Sequence, residues 1–224
     1  MLFRSLRTEY ADAVEREVSR VELLSHVLGE QSTRSLDTAA GVLASLGELA
    51  GGASGSPQAL REGMAQVLVS LPFLRSVSLL DADGRVLAAT RRADVGQSVD
   101  LRRLFPPGAD PRKLTGSLLG NWQPARHLSD LAMDTRARSP EGVGLIPYVH
   151  GLSDGTGRML VALINPDALL GFEQLTLEGE GRIALLTSYQ GPVLAAAMGA
   201  TPATGAYVPG GDLSQHPVLT GPAR

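Results

Sequence analysis

Hydrophobic positions recur at three- and four-residue steps over the first 50 residues of the chain. They form two groups, and proline interrupts neither. The members are Val14, Val18, Val21, Leu24 and Leu28, followed by Leu36, Ala39, Leu43, Leu46 and Leu49. This spacing predicts one helix from about Glu9 to Ala50, roughly 60 Å long at 1.5 Å per residue. Two shorter helices, broken near Ser35 or Gly41, are the alternative.

Glycine and serine end this helical pattern at residues 51–56, which read GGASGS. Consecutive glycines and serines hold a helix only at a high entropic cost. Ser56 and Pro57 then form an N-cap and first-turn pair, because proline suits the first helical position. A second, shorter helix is therefore expected from about Gln58 to Ser70.

The hydrophobic period next changes to that of strands, and two hairpins are expected. An Asp-Ala-Asp-Gly turn at 81–84 and a Ser-Asp-Gly turn at 153–155 supply the backbone conformations that a tight reversal needs. The expected strands are Ser76–Leu80, Arg85–Thr90, Gly144–Gly151 and Gly157–Ile164. Asn165, Pro166 and Asp167 then start a short helix that continues to Phe172. Helices followed by hairpins predict an α+β fold with an antiparallel sheet.

The section between the hairpins, residues 91–141, is rich in proline, glycine and arginine and has weak periodicity. It is too long for an idle connection in a compact domain. Long loops of this kind usually carry function, so the section is a candidate region for a binding site.

The first hairpin has an echo about a hundred residues later. LLDADGRVLAA at 79–89 resembles LLTSYQGPVLAA at 185–196, with a four-residue turn in the first and a five-residue turn in the second. The match predicts a second copy of one sheet unit. Coincidence is the alternative, because Leu, Ala and Val are common residues.

Composition and charge exclude several functions. The net charge is −3 and the pI is about 5.8, which gives no basic face and argues against nucleic acid as a partner. Cysteine is absent, so disulfides and thiolate metal sites are excluded. No stretch reaches the roughly 18 to 20 apolar residues that span a bilayer, and the N-terminus does not resemble a signal peptide. A neighbouring membrane segment of a longer protein remains compatible with this.

Catalytic signatures are also missing from the sequence. The four histidines, at 26, 127, 150 and 216, lack the short paired spacing of a zinc site. There is no GxSxG elbow, P-loop or dinucleotide-binding glycine pattern. The sequence therefore predicts a chain that is not an enzyme and needs no metal or cofactor, with a hydrolase of unfamiliar type as a distant alternative.

Five segments together resemble the double Cache sensor domains found upstream of bacterial diguanylate cyclases and histidine kinases. They occur in that family's order and cover nearly the whole chain. The segments are LLSHVLGEQSTRSLDTAAGVLASL (23–46), DADGRVLAAT (81–90), GQSVDLRRLF (96–105), LIPYVHGLSDGTGRMLVALINPDAL (145–169) and GRIALLTSYQGPVLA (181–195). The resemblance implies a long N-terminal helix packed on a PAS-like antiparallel sheet, with a second, smaller Cache-like module.

Three regions follow from this resemblance. Residues 1–56 are expected to form the long signalling helix, and residues 57–175 the membrane-distal PAS-like module that carries the ligand pocket. Residues 176–224 are expected to begin a membrane-proximal module that is incomplete here. At 102–105 the chain reads RRLF, where many members of the family have an Arg-Asp-Tyr-Phe-like segment.

Candidate ligand-binding residues concentrate between positions 120 and 155. A pocket for an organic acid, amine or amino acid needs an aromatic wall, an arginine for a carboxylate and an aspartate for an ammonium group. The candidates are Trp122, Arg126, His127, Tyr148, His150 and Asp154, and the resemblance adds Phe105. Tyr148 and His150 alternate along one strand and so point to the same face. The alternatives are a core role for Trp122, solvated surface roles for Arg126 and His127, and a turn role for Asp154.

These observations predict the periplasmic or extracellular sensor domain of a bacterial inner-membrane protein, with membrane helices flanking it in the parent. Its ligand would be an amino acid, carboxylate or amine, and the signal would pass through the long helix. Val14, Val18, Val21 and Leu28 would belong to an interhelical seam, as in a homodimer through the N-terminal helix, and packing on the chain's own sheet is the alternative. The parent is expected to be a diguanylate cyclase or a histidine kinase, with a chemoreceptor left open. A ligand-free PAS-like dimerisation scaffold in the cytoplasm is the alternative.

Overall fold

The N-terminal helix is continuous. The computed structural model describes residues 2–52, 56–132, 144–171, 183–187 and 193–198. Helix α1 runs from Leu2 to Gly51, so the prediction of one long helix is confirmed, and the described chain has no break near Ser35 or Gly41. A Cβ at Gly41 would have nothing within 4 Å. Glycine there costs about 1 kcal/mol relative to alanine, too little to interrupt a helix of this length.

Internal contacts divide the chain into a first unit, residues 1–36, and a second unit, residues 37–224. In the first unit, α1 carries a stripe of apolar side chains at three- and four-residue steps, which places them on one face. The stripe consists of Tyr10, Val14, Val18 and Val21, which are between 42% and 73% exposed. Leu28, predicted to belong to the same seam, is instead buried, so the exposed stripe ends before it.

In the second unit two helical segments cover one side of a sheet. Residues 37–51 of α1 and helix α2, Pro57–Ser70, bury apolar side chains from successive turns. These are Ala39, Leu43 and Leu46 from α1, and Leu60, Met64 and Val67 from α2. The N-cap prediction is confirmed, because the Ser56 Oγ accepts a hydrogen bond from the Ala59 backbone N–H at 3.0 Å. Gly63 lets the helices approach closely, since a Cβ there would lie 2.9 Å from Leu46.

The sheet has five antiparallel strands. They are β1 (Leu74–Leu80), β2 (Val86–Ala89), β3 (Gly116–Leu119), β4 (Ile146–Gly151) and β5 (Met159–Ile164). Their spatial order is β2-β1-β5-β4-β3. The four strands expected from the sequence are confirmed within two residues at each end. The sequence prediction missed β3, because its Gly-Ser-Leu-Leu sequence does not alternate and it lies at an exposed edge.

The two faces of this sheet are covered differently. The helix face packs against α1 and α2. The opposite face packs against residues 91–115 and 120–132, which we call the cover, and the side chains between them form a continuous apolar core. The sheet contributes Leu80, Val86, Val149, Val161 and Leu163, and the cover contributes Val99, Leu104, Phe105, Leu128 and Leu131. The cover folds through short 3-10 turns at Arg92–Asp94, Leu101–Arg103, Pro111–Lys113 and Leu128–Leu131.

The echo of the first hairpin is a hairpin of its own. Strands β6 (Ile183–Thr187) and β7 (Val193–Met198) pair antiparallel and pack against Leu170, which follows the short helix α3 (Pro166–Leu169). Both hairpins change register at the last pair before the turn, and there Leu80 faces Val86 and Thr187 faces Val193.

This register corrects the sequence match. Five residues separate the last paired positions in each hairpin, so the two turns have equal length. Leu79 pairs with Ala88 and Leu186 pairs with Ala195, so Leu79 is equivalent to Leu186, whereas the sequence match pairs Leu79 with Leu185. Backbone pairing sets the register, and a one-residue slip moves every side chain to the other face.

Candidate ligand-binding site

Tyr148 and His150 lie together on the helix face of β4. Across the edge strand they are opposite Leu119 and Ser117, and the Ser117 Oγ lies 2.9 Å from the His150 Nδ1. Gly47 of α1 allows the imidazole to lie against the helix, because a Cβ at that position would be 3.4 Å from His150. Tyr148 is buried, with 8% of its surface exposed. The pair therefore contacts the helix rather than the cover.

Burial controls the charge of this pair. It raises the pKa of the Tyr148 hydroxyl; a hydrogen bond with Ser117 opposes the shift, and the negative charge of Asp37 adds to it. Burial likewise lowers the pKa of His150 below its ordinary value of 6.5. Both side chains are therefore neutral at pH 7, as their position beneath a helix requires.

Trp122 and Arg126 lie at the end of the sheet where β4 begins and β5 ends. Trp122 lies directly over the backbone of Gly144, where a Cβ would stand 2.0 Å from the indole. The carbonyl of Gly144 accepts a hydrogen bond from Arg75 at 2.8 Å, and Arg75 also bonds the side chain of Asn165. Arg126 itself is exposed. The indole is thus fixed against main chain, with an exposed guanidinium nearby in sequence.

His127 begins the last 3-10 turn of the cover. The Asp130 Oδ2 accepts the backbone N–H groups of Arg126 and His127, each at 2.9 Å. Burial lowers the pKa of His127, the positive charge of Arg91 lowers it further, and Asp130 opposes the shift. The imidazole is therefore neutral at pH 7 and lies within the electrostatic reach of a neighbouring ion pair.

That ion pair was not predicted from the sequence. Arg91 bonds the Oδ1 of Asp94 at 2.8 Å and the hydroxyl of Ser129 at 3.2 Å. Asp94 is fully buried, and its Oδ2 has no hydrogen-bond partner among the described residues. A buried carboxylate oxygen without a partner is costly and is a natural position for a donor from a ligand or water. We call Arg91, Asp94, Arg126, His127, Ser129 and Asp130 the rim cluster.

Asp154 lies in the turn between β4 and β5. It accepts hydrogen bonds from the backbone N–H and hydroxyl of Thr156 and forms an ion pair with Arg158. Burial alone would raise its pKa, but these bonds and the Arg158 charge lower the pKa to about 2. Arg158 also donates to the Ala50 carbonyl at 3.2 Å, so the turn is joined to the end of α1.

Phe105 has a different environment again. It is 4% exposed and packs in the core between the cover and the sheet. The structure thus groups Trp122, Arg126 and His127 along the cover, places Phe105 beneath it, and puts Tyr148 and His150 on the other side of the sheet. Asp154 lies apart from all of them, within the turn.

Metal chemistry finds no support in the described part of the chain. No group of three or more His, Asp or Glu side chains there is arranged to hold a metal ion. No described helix is long and apolar enough to cross a bilayer.

The fold is that of Cache-like extracellular sensor domains, with a long helix packed on a five-stranded antiparallel sheet. The extracellular domain of rpHK1S-Z16, described as a histidine kinase, superposes with a TM-score of 0.60 at 22% identity, over 77% of this chain and 67% of that one. An extracellular ligand-binding receptor from Desulfohalobium retbaense superposes with a TM-score of 0.52 at 11% identity, over 82% of this chain and 32% of that one.

A looser likeness links the chain to the ligand-binding domain of the Pseudomonas fluorescens chemoreceptor CtaA in complex with L-serine. Its TM-score is 0.45 at 17% identity, over 86% of this chain and 78% of that one, and the fold assignment does not depend on it. No protein-family model matches the sequence, and no curated protein matches it. The first two of these structural neighbours are described as an extracellular domain and an extracellular ligand-binding receptor.

Proposed function

We propose that this chain is the extracellular ligand-binding domain of a bacterial transmembrane signalling protein, and that it senses a small amino acid or carboxylate. The observation that carries the proposal is its likeness in fold to the extracellular domain of a histidine kinase. A periplasmic location, flanking membrane helices and a histidine kinase or diguanylate cyclase as parent belong to the same proposal.

The rim cluster supplies the chemistry for such a ligand. Arg126 is exposed and can pair with a carboxylate, which arginine recognises by two parallel hydrogen bonds. The unpartnered Oδ2 of Asp94 can accept from an ammonium group. Trp122, fixed over Gly144, offers an aromatic wall at the same end of the cover.

Transmission would use the helix face. Tyr148 and His150 lie against the α1 segment that contains Gly47, so a shift of β4 caused by ligand at the cover would change their packing on the helix. Ligand would favour one of two packings, which is a shift of populations. The exposed stripe of Tyr10, Val14 and Val18 would pair with a second copy of the chain and carry the change.

Thermal unfolding against a library of amino acids, carboxylates and amines tests the proposal. A true ligand at 100 times its Kd stabilises the fold by about 2.7 kcal/mol. The variant Arg126→Gln is expected to lose most of that stabilisation for carboxylate-bearing ligands, while Arg112→Gln, at another exposed position of the cover, keeps it. No stabilisation by any compound at millimolar concentration would favour the ligand-free scaffold, for which the closed apolar core beneath the cover is the supporting observation.

A further inference from the structure

A groove at the β2 edge of the sheet adjoins the rim cluster, because Arg92 and Val95 line it and their chain neighbours Arg91 and Asp94 belong to that cluster. It is formed by the last turn of α1, the first turn of α2 and strand β2, and it encloses about 950 Å³. Its apolar lining comes from Leu49, Leu60, Leu79 and Leu87, together with Val95 beyond β2. Leu79 lies on the helix face because its neighbour Leu80 belongs to the core beneath the cover.

Three of the apolar side chains in this groove are exposed to solvent. Leu49, Leu87 and Val95 are 45%, 45% and 46% exposed, although they come from three separate segments. Single exposed apolar side chains are ordinary, whereas several that converge in one concavity mark a binding surface. The volume falls in the range of small-molecule sites, about 300–1,000 Å³.

The charge of the groove has one sign. Three arginines line it, Arg61, Arg92 and Arg158, and its described lining contains no aspartate or glutamate. Arg158 is already paired with Asp154. Within the described part of the chain, neither Arg61 nor Arg92 has an acidic partner within 4.0 Å, so two exposed cations remain uncompensated in a protein whose net charge is −3.

The first turn of α2 adds to this positive character. Ser56 and Pro57 line the groove at the N-terminus of a 14-residue helix. The aligned peptide dipoles place a partial positive charge at that end of a helix, which favours an anion beside it. Apolar walls with cationic groups beside them suit a molecule that has an apolar body and one negative group.

We propose that the groove binds an amphipathic carboxylate, with its hydrocarbon part against Leu49, Leu87 and Val95 and its carboxylate against Arg61 and Arg92. None of the described residues that line the groove belongs to the rim cluster, although Arg92 and Val95 lie in the same turn as Arg91 and Asp94, so the proposal concerns a second ligand at a neighbouring site. It gives the domain a second input next to the junction of α1 and α2.

Calorimetric titration of the whole chain with octanoate tests this site, with octanol and octyltrimethylammonium as uncharged and cationic probes of similar length. We expect saturable binding of one octanoate, weaker binding of octanol and none of the cation. The double variant Arg61→Gln/Arg92→Gln should weaken octanoate binding about ten-fold or more through the loss of charge-assisted hydrogen bonds. Arg102→Gln, at a side chain that is 91% exposed outside the groove, is the matched control.

Both substituted arginines are exposed, so the variant is expected to fold, and its unfolding curve checks this. Leu87→Ser, which leaves the cations in place, should weaken octanoate and octanol alike. Equal octanoate affinity in the double variant and the wild type would overturn the proposal, as would absence of binding at millimolar concentration. Binding of an acidic amphipathic peptide, with the same arginine dependence but without octanoate binding, would overturn it in favour of a protein partner.

Discussion

The two faces of the five-stranded sheet are covered by different kinds of structure. Regular helices with a periodic sequence cover one face, yet a polar pair, Ser117 and His150, and an open groove remain there. Irregular chain covers the other face, yet it closes an apolar core in which Leu104, Leu128 and Leu131 are fully buried. Regular secondary structure and complete packing are therefore separate properties in this domain.

The largest test of this comparison is a pair of matched truncations, Leu128→Ala under the cover and Leu43→Ala under the helix. Both leucines are 0% exposed. If the cover is an integral part of the core, each variant should lose about 2–5 kcal/mol of the free energy of unfolding, as buried leucines do. Urea unfolding measures both. A cost near zero for Leu128→Ala alone would show that the cover is a detachable layer.

A smaller effect is expected at the end of the cover, from Gly144→Ala. The new methyl group would stand 2.0 Å from the indole of Trp122, so the ring must move, at a cost of about 1–3 kcal/mol. Trp122 is the only tryptophan of the chain, so its fluorescence reports the movement directly. We expect a red shift of the emission as the ring meets solvent. Gly171→Ala, where a Cβ would meet nothing within 4 Å, is the control and should leave the spectrum unchanged.

The smallest expected effect is the pH dependence of the free energy of unfolding, to which one histidine on each face contributes. Burial lowers the pKa of His150 on the helix face and of His127 at the cover, so the unfolded chain, whose histidines titrate near 6.5, takes up protons first as the pH falls. The stability contributed by each neutral imidazole is present above pH 6.5 and decreases as the pH falls below it.

Urea unfolding at pH 7.5 and 5.5 measures this dependence. His150→Gln and His127→Gln should each make the stability less sensitive to pH. If only one of these two variants reduces the pH dependence, then only that face of the sheet disfavours the charged imidazole. Unchanged pH dependence in both would contradict the burial argument.

The regular elements could be predicted because their signals are local. The three- and four-residue spacing of apolar residues from Leu36 to Leu49 predicts the buried face of a helix. The turn residues at 81–84 predict the hairpin that β1 and β2 form. Strand β3 lacked such a signal, since it is an edge strand that is held by pairing with β4, more than 25 residues later in the sequence. The sequence alignment of the two hairpins was shifted by one residue, because sequence similarity does not show which backbone positions pair.

The proposed binding surfaces could not be predicted because they are assembled from distant segments. His150 meets Ser117 across 33 residues, and Arg91 meets Ser129 across 38. The groove combines a helix end, a helix start and an edge strand, and no short motif describes that combination. The sequence analysis named Arg126 and His127, which the structure places in the rim cluster. It did not name Arg91, Asp94, Arg61 or Arg92, because a lone arginine or aspartate has no distinctive spacing.

The matching register of the two hairpins has a practical consequence. Residues 81–85 and 188–192 connect equivalent paired positions and contain the same number of residues. The two connections can therefore be exchanged. We expect a chimera with residues 81–85 in place of residues 188–192 to keep Thr187 paired with Val193. Such an exchange would change the connection of one hairpin while the paired strands keep the same residues on each face.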